Sequence, residues 1–89
     1  MKNYFLYEDT KEIIRVTDVQ TLDDYLLKIK FSNGKIKIFD FKPFLEKPVF
    51  VPLKNKEFFD KAKVKYYTVV WNDKIDFDAE SLYWNSISV

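Results

Sequence analysis

With 89 residues, fifteen Lys or Arg, fourteen Asp or Glu, and neither His nor Cys, the chain makes one small domain of net charge +1. That balance speaks against a general nucleic-acid or membrane-surface binder, which carries a marked basic excess, and the missing cysteines exclude disulfides and thiol chemistry. Aromatics make up 19% of the residues, more rings than so small a core needs, so some are expected at the surface, either as an interface or as plain semi-exposed packing.

Residues 1–11 read as an N-terminal extension and residues 12–89 as a single domain. The opening "MKNYFLYEDT" has too short an apolar run for a signal peptide, and no run approaches the ~20 residues of a bilayer span; a cytoplasmic protein without membrane contact is expected. The apolar Tyr4–Tyr7 stretch is expected to be ordered, covering a sheet edge of its own chain or of a second copy in a symmetric homodimer.

"EIIRVTDVQTL" (12–22) is rich in β-branched residues and predicts a strand ending at an Asp23-Asp24 turn. "YLLKIKFS" (25–32) and "KIKIFDF" (35–41) predict a hairpin around Asn33-Gly34, the strongest short-range hairpin signal. A two-residue loop there sets Lys30 opposite Lys37 and Ile29 opposite Ile38. Leu27, Ile29, Phe31, Ile36 and Ile38 then face the core, and Lys28, Lys30, Lys35 and Lys37 share the outer face. The alternation breaks at its end, where Phe39 and Phe41 fall on the lysine face, so either a bulge, the favoured reading, resets the pleat or the far end of the hairpin is covered on both sides.

Pro43 and Pro48 bracket a short helical turn. "NKEFFDKAK" (55–63) is the main helix, capped by Asn55. "VKYYTVVW" (64–71) and "KIDF" (74–77) give a last pair of strands turning at Asn72-Asp73, and Asp78 caps a terminal helical turn, "AESLYW". The pattern β-β-β-α-β-β is an α+β domain: a small antiparallel sheet of about five strands, one main helix and short helical turns.

Chemistry is sparse. Without His the usual general base and the commonest transition-metal ligand are missing, and one glycine cannot build a phosphate-cradling loop. No catalytic, cofactor or metal site is expected. Asp73, Asp76, Asp78 and Glu80 lie close in sequence, but they read as a turn residue, an outward strand residue, an N-cap and a first-turn acid. The lysine face could track a phosphate backbone weakly, while its plainer reading is the solvated side of a sheet. The candidate partner surface is aromatic: Tyr66, Tyr67, Trp71, Tyr83 and Trp84. Tyr66 and Tyr67, as neighbours on a strand, are expected to point to opposite faces.

The order of "FSNGK" and "FDF" (31–41), "PLK" before "FF" (52–59), and Trp71 followed by "DFD" and "LY" (76–83) resembles the bacterial domain-of-unknown-function family 2442. The resemblance covers Ile13 to Trp84 and departs where members carry Gly after the Trp and this chain has Asn72-Asp73-Lys74. It implies a small cytoplasmic bacterial α+β domain with no established activity, sometimes followed by a helix-turn-helix domain, which is not expected here. It also implies, for some members, a small protein encoded alongside in a toxin–antitoxin-like arrangement. The expected function is a non-enzymatic protein–protein interaction module. The alternative is a weak nucleic-acid-binding or regulatory accessory domain using the lysine face of the 25–41 hairpin.

Overall fold

The computed structural model describes residues 13–72 and 74–88. The N-terminal extension with Tyr4–Tyr7, Glu12, Asp73 and Val89 lie outside the described residues. Among the described residues, seven short strands fall into two antiparallel sheets. The first contains β1 (Val16–Leu22), β2 (Leu26–Phe31), β3 (Ile36–Asp40) and β7 (Ile87–Ser88), in that spatial order. The second is a meander of β4 (Lys63–Lys65), β5 (Thr68–Asn72) and β6 (Ile75–Phe77). Two 3-10 segments, Lys42–Phe44 and Pro48–Lys54, and helix α1 (Lys56–Phe59) join the sheets, and α2 (Ala79–Trp84) leads into β7.

The α+β class is as the sequence predicts, but the single sheet is not. Residues 64–71 fold back at Tyr66-Tyr67 into two strands, and β6 completes a separate meander. Both caps form: Asn55 Oδ1 accepts from the backbone N–H of Glu57 and Phe58 at 2.9 and 3.3 Å, and Asp78 Oδ2 accepts from that of Ser81 at 3.2 Å. Each satisfies donors that a first helical turn leaves open. Pro43 and Pro48 sit in the first turns of their 3-10 segments, and Lys47 before Pro48 is extended. The expected main helix is only the one turn of α1, and α2 is longer.

The β2–β3 register corrects the sequence reading by one residue. Lys30 pairs with Ile36, Ile29 with Lys37 and Leu27 with Phe39. The loop has three residues, Ser32-Asn33-Gly34: Phe31 N donates to Lys35 O and Gly34 N to Phe31 O, both at 2.9 Å, with Gly34 at φ +88. A turn followed by a left-handed glycine is the three-residue hairpin solution. A one-residue slip transfers every side chain of a strand to the other face. Phe39 and Phe41 thereby enter the core, Ile36 turns outward to 38% exposure, and no bulge is needed inside β3. Burying two phenylalanines in place of two isoleucines favours this register by apolar area alone. Register shifts lie instead in β1, between Val16 and Asp18, and in β5, between Val70 and Asn72.

Phe41 is the centre of the core. It is fully buried, and the rings of Phe39, Phe44, Phe50, Phe59, Trp71 and Phe77 surround it at centroid distances of 5.1–5.9 Å, most of them edge-on. Rings from both sheets and from the connecting helical turns meet there, so one residue ties the layers together.

The same slip carries Lys37 inward, to 8% exposure. Its Nζ donates to Tyr83 O at 2.7 Å and lies 3.7 Å from the Tyr83 ring centroid. The ammonium thus caps the negative C-terminal end of α2 and rests on an aromatic face. Burial, and secondarily the cation of Lys35, lower its pKa from 10.5. On raising the pH, folded Lys37 loses its proton before unfolded Lys37 does, so the unfolded state binds more protons in that window and stability rises with pH. Lys37→Met is expected to lower stability by about 1 kcal/mol near neutrality. The gap to wild type should widen as pH climbs through the folded pKa towards 10.5. Urea midpoints at neutral and alkaline pH read both; a gap that narrows would contradict the burial argument.

Candidate interaction surface

The hairpin of β4 and β5 is closed by two residues, since Lys65 pairs directly with Thr68. Both loop residues are left-handed, Tyr66 at φ +55 and Tyr67 at φ +63. Two-residue hairpin loops need that geometry to match the right-handed strand twist, and Asn-Gly supplies it at least cost. Tyrosine is costly there, because Cβ meets the following carbonyl. Flanking sequence drives the fold: Val69 and Trp71 are buried on one face of the strand and Val64 packs against the same core. With those residues facing inward, the tyrosines are left at the tip.

The tip is braced. Val16 N donates to Tyr67 O at 2.8 Å, tying it to the start of β1, and Thr68 Oγ1 donates to Phe77 O across the meander. The guanidinium of Arg15 lies 5.0 Å from the Tyr67 ring centroid and Lys65 Nζ 5.4 Å from that of Tyr66. Even so, Tyr66 is 81% and Tyr67 60% exposed. Left-handed Tyr25 gives the contrast, since its ring is half-buried against Phe59 and its hydroxyl donates to Lys54 O. Tertiary packing holds Tyr25 in its strained backbone; the rings of Tyr66 and Tyr67 project into solvent.

Beside Tyr66, on the outer face of the second sheet, a cleft of about 250 Å³ is lined by Lys63, Lys65, Tyr66, Val70, Asn72 and Asp76. Val70, with Lys63 and Asp76 as its cross-strand partners, is its apolar floor.

Residues 16–88 match the family described as "Protein of unknown function (DUF2442)". The chain belongs to the DUF2442 family. The matched stretch runs from the first residue of β1 to the last of β7 and so contains both sheets and the tyrosine turn of this DUF2442 domain. No curated protein and no solved structure matches the chain significantly.

Of the five aromatic candidates, the structure brings only Tyr66 and Tyr67 together at the surface, on a turn and not on opposite faces of a strand. Trp71 is a core residue whose Nε1 donates to Phe59 O at 2.9 Å. Tyr83 is buried edge-on to Phe31, with its hydroxyl accepting from Asn33 Nδ2 at 3.1 Å. Trp84 is 53% exposed, against Tyr83. The four-lysine face does not form. Lys28 and Lys30 line a shallow cleft on the outer side of the first sheet with Asp18, Gln20 and Ile36, Lys35 stands exposed at the loop, and Lys37 is buried on the other face. The register slip is the cause.

Among the acids, Asp76 points outward, Asp78 is the cap of α2, and Glu80 lies in its first turn. Among the described residues, no three His, Cys, Asp or Glu cluster as metal ligands, and no helix is long and apolar enough to cross a membrane. Sequence reading missed Arg15, Lys63 and Lys65. For the two lysines the signal was present in "KVKYYTVV" (63–70), where they alternate with Val64 and a β-branched run resumes just after the tyrosines.

Proposed function

We propose that this DUF2442 chain is a non-enzymatic interaction module of the bacterial cytoplasm, binding another small protein encoded nearby through the Tyr66-Tyr67 turn. The observation that carries the reading is the conjunction of left-handed backbone with 81% and 60% exposure at two adjacent tyrosines. Strained backbone concentrates at functional sites, and rigid, amphipathic Tyr is the kind of residue that anchors interfaces. A turn braced by Val16 holds the rings in place before binding, which lowers the ordering cost of association. The absence of His and Cys from the sequence supports a binding role over a catalytic one. The paired, toxin–antitoxin-like gene arrangement that the family resemblance implies supplies the first partner to try.

The test is affinity capture after co-expression with the product of the adjacent gene. The unmodified chain should retain that protein, and Tyr66→Asn/Tyr67→Gly, which keeps the hairpin, should release it. Equal capture by both forms would show that the turn is not the binding surface.

A further inference from the structure

We infer that the partner presents an acidic segment, an extended stretch carrying carboxylates, to the cleft beside Tyr66. This inference rests on the reading of the tyrosine turn as the interface and adds the chemistry of what it receives. Three cations lie at this site: Arg15 and Lys65 beside the two exposed rings, and Lys63 lining the cleft with Tyr66. None of them forms an ion pair among the described residues, where ion pairs are confined to Lys42, Lys54 and Lys56 and most other lysines are likewise unpaired. Arg15 and Lys65 lie instead over the tyrosine rings, at 5.0 and 5.4 Å from the centroids.

Among the described residues, these three cations therefore outnumber the one carboxylate at the cleft, Asp76, at the turn that also exposes strained aromatics. Complementary charge steers encounter and fixes register across an interface. The cleft's volume of about 250 Å³ suits a side chain or two of a docked strand, with Val70 as an apolar floor between the lysines and Asn72. Asp76 at the rim distinguishes the occupant. A phosphate backbone lays charge along its whole length and would meet that carboxylate, while a peptide alternating acidic and apolar residues can set an apolar one there.

Titration of the full chain by two-dimensional NMR tests the inference. The probes are a short peptide alternating Glu and Leu, its Lys–Leu counterpart and a short oligothymidylate. The Glu–Leu peptide should shift the amides of Lys63, Tyr66, Val70 and Asn72 and bind best of the three. In Lys63→Glu/Lys65→Glu its affinity should fall about ten-fold while the Lys–Leu peptide gains. Tighter binding of oligothymidylate, undiminished Glu–Leu binding in the charge-reversed protein, or no shift at saturating peptide overturns the inference. Partner capture separates the two readings. If Tyr66→Asn/Tyr67→Gly abolishes capture and Lys63→Glu/Lys65→Glu does not, the surface stands and the acidic segment falls. If neither variant changes capture, both fall.

Discussion

Tyr66→Asn/Tyr67→Gly is expected to make the domain more stable by about 1–2 kcal/mol, a rise in Tm of roughly 5–15 °C. Each left-handed non-glycine residue costs about 1–2 kcal/mol, and Asn-Gly relieves most of that at both positions. Against the gain stand two exposed cation–π contacts, from Arg15 and Lys65, worth about 0.5–1 kcal/mol each. Little hydrophobic burial is forfeited, because both rings are exposed. Thermal unfolding followed by circular dichroism reads the change. A mutation that stabilises the fold while releasing a partner is the signature of residues placed for binding, and a loss of stability would show that the rings hold the hairpin together.

Phe41→Ala should have the largest effect in the opposite direction, a loss of about 3–5 kcal/mol. The side chain is fully buried, and six rings from both sheets and the connecting segment close around it, so no single neighbour can fill the space. Small domains have about 5–15 kcal/mol in all, so much of the stability is removed at one position. Urea unfolding gives the number directly, and Phe41→Leu is the control, expected to cost less than half as much. If alanine costs under about 1.5 kcal/mol, the cluster repacks and Phe41 is not its keystone.

Local signals were legible where the chemistry is local. Asn55 and Asp78 as caps, the prolines at the starts of 3-10 segments and the strands over residues 16–22 and 26–31 follow from the sequence alone. What escaped was decided by distant residues. Asn33-Gly34 is compatible with loops of two or three residues, and the choice lies with Phe39 and Phe41, which must reach rings as far along the chain as Phe77. That choice alone dismantled the expected lysine face and buried Lys37. The tyrosine turn was illegible for the opposite reason. Tyr-Tyr has strand propensity, and no local preference marks it as a turn; only the pairing of Lys65 with Thr68 and the burial of Val69 and Trp71 put it there. A local rule broken at an exposed position, with no packing to compensate, marks a candidate functional site.

The order of strands also has a kinetic consequence. β1-β2-β3 and β4-β5-β6 are each contiguous in the chain and close through short loops, so their pairings need little loop-closure entropy and form early. β7 is the exception: it meets β3 from about fifty residues away through two paired positions among the described residues, and closing so long a loop costs about 2.5 kcal/mol more than closing a tight hairpin. Among the described strands β7 is therefore the last to dock and the first to open, and its amides should exchange with solvent well before those of β2. Each opening bares the backbone edge of β3, so the least protected of the described strands guards an edge able to pair with another chain.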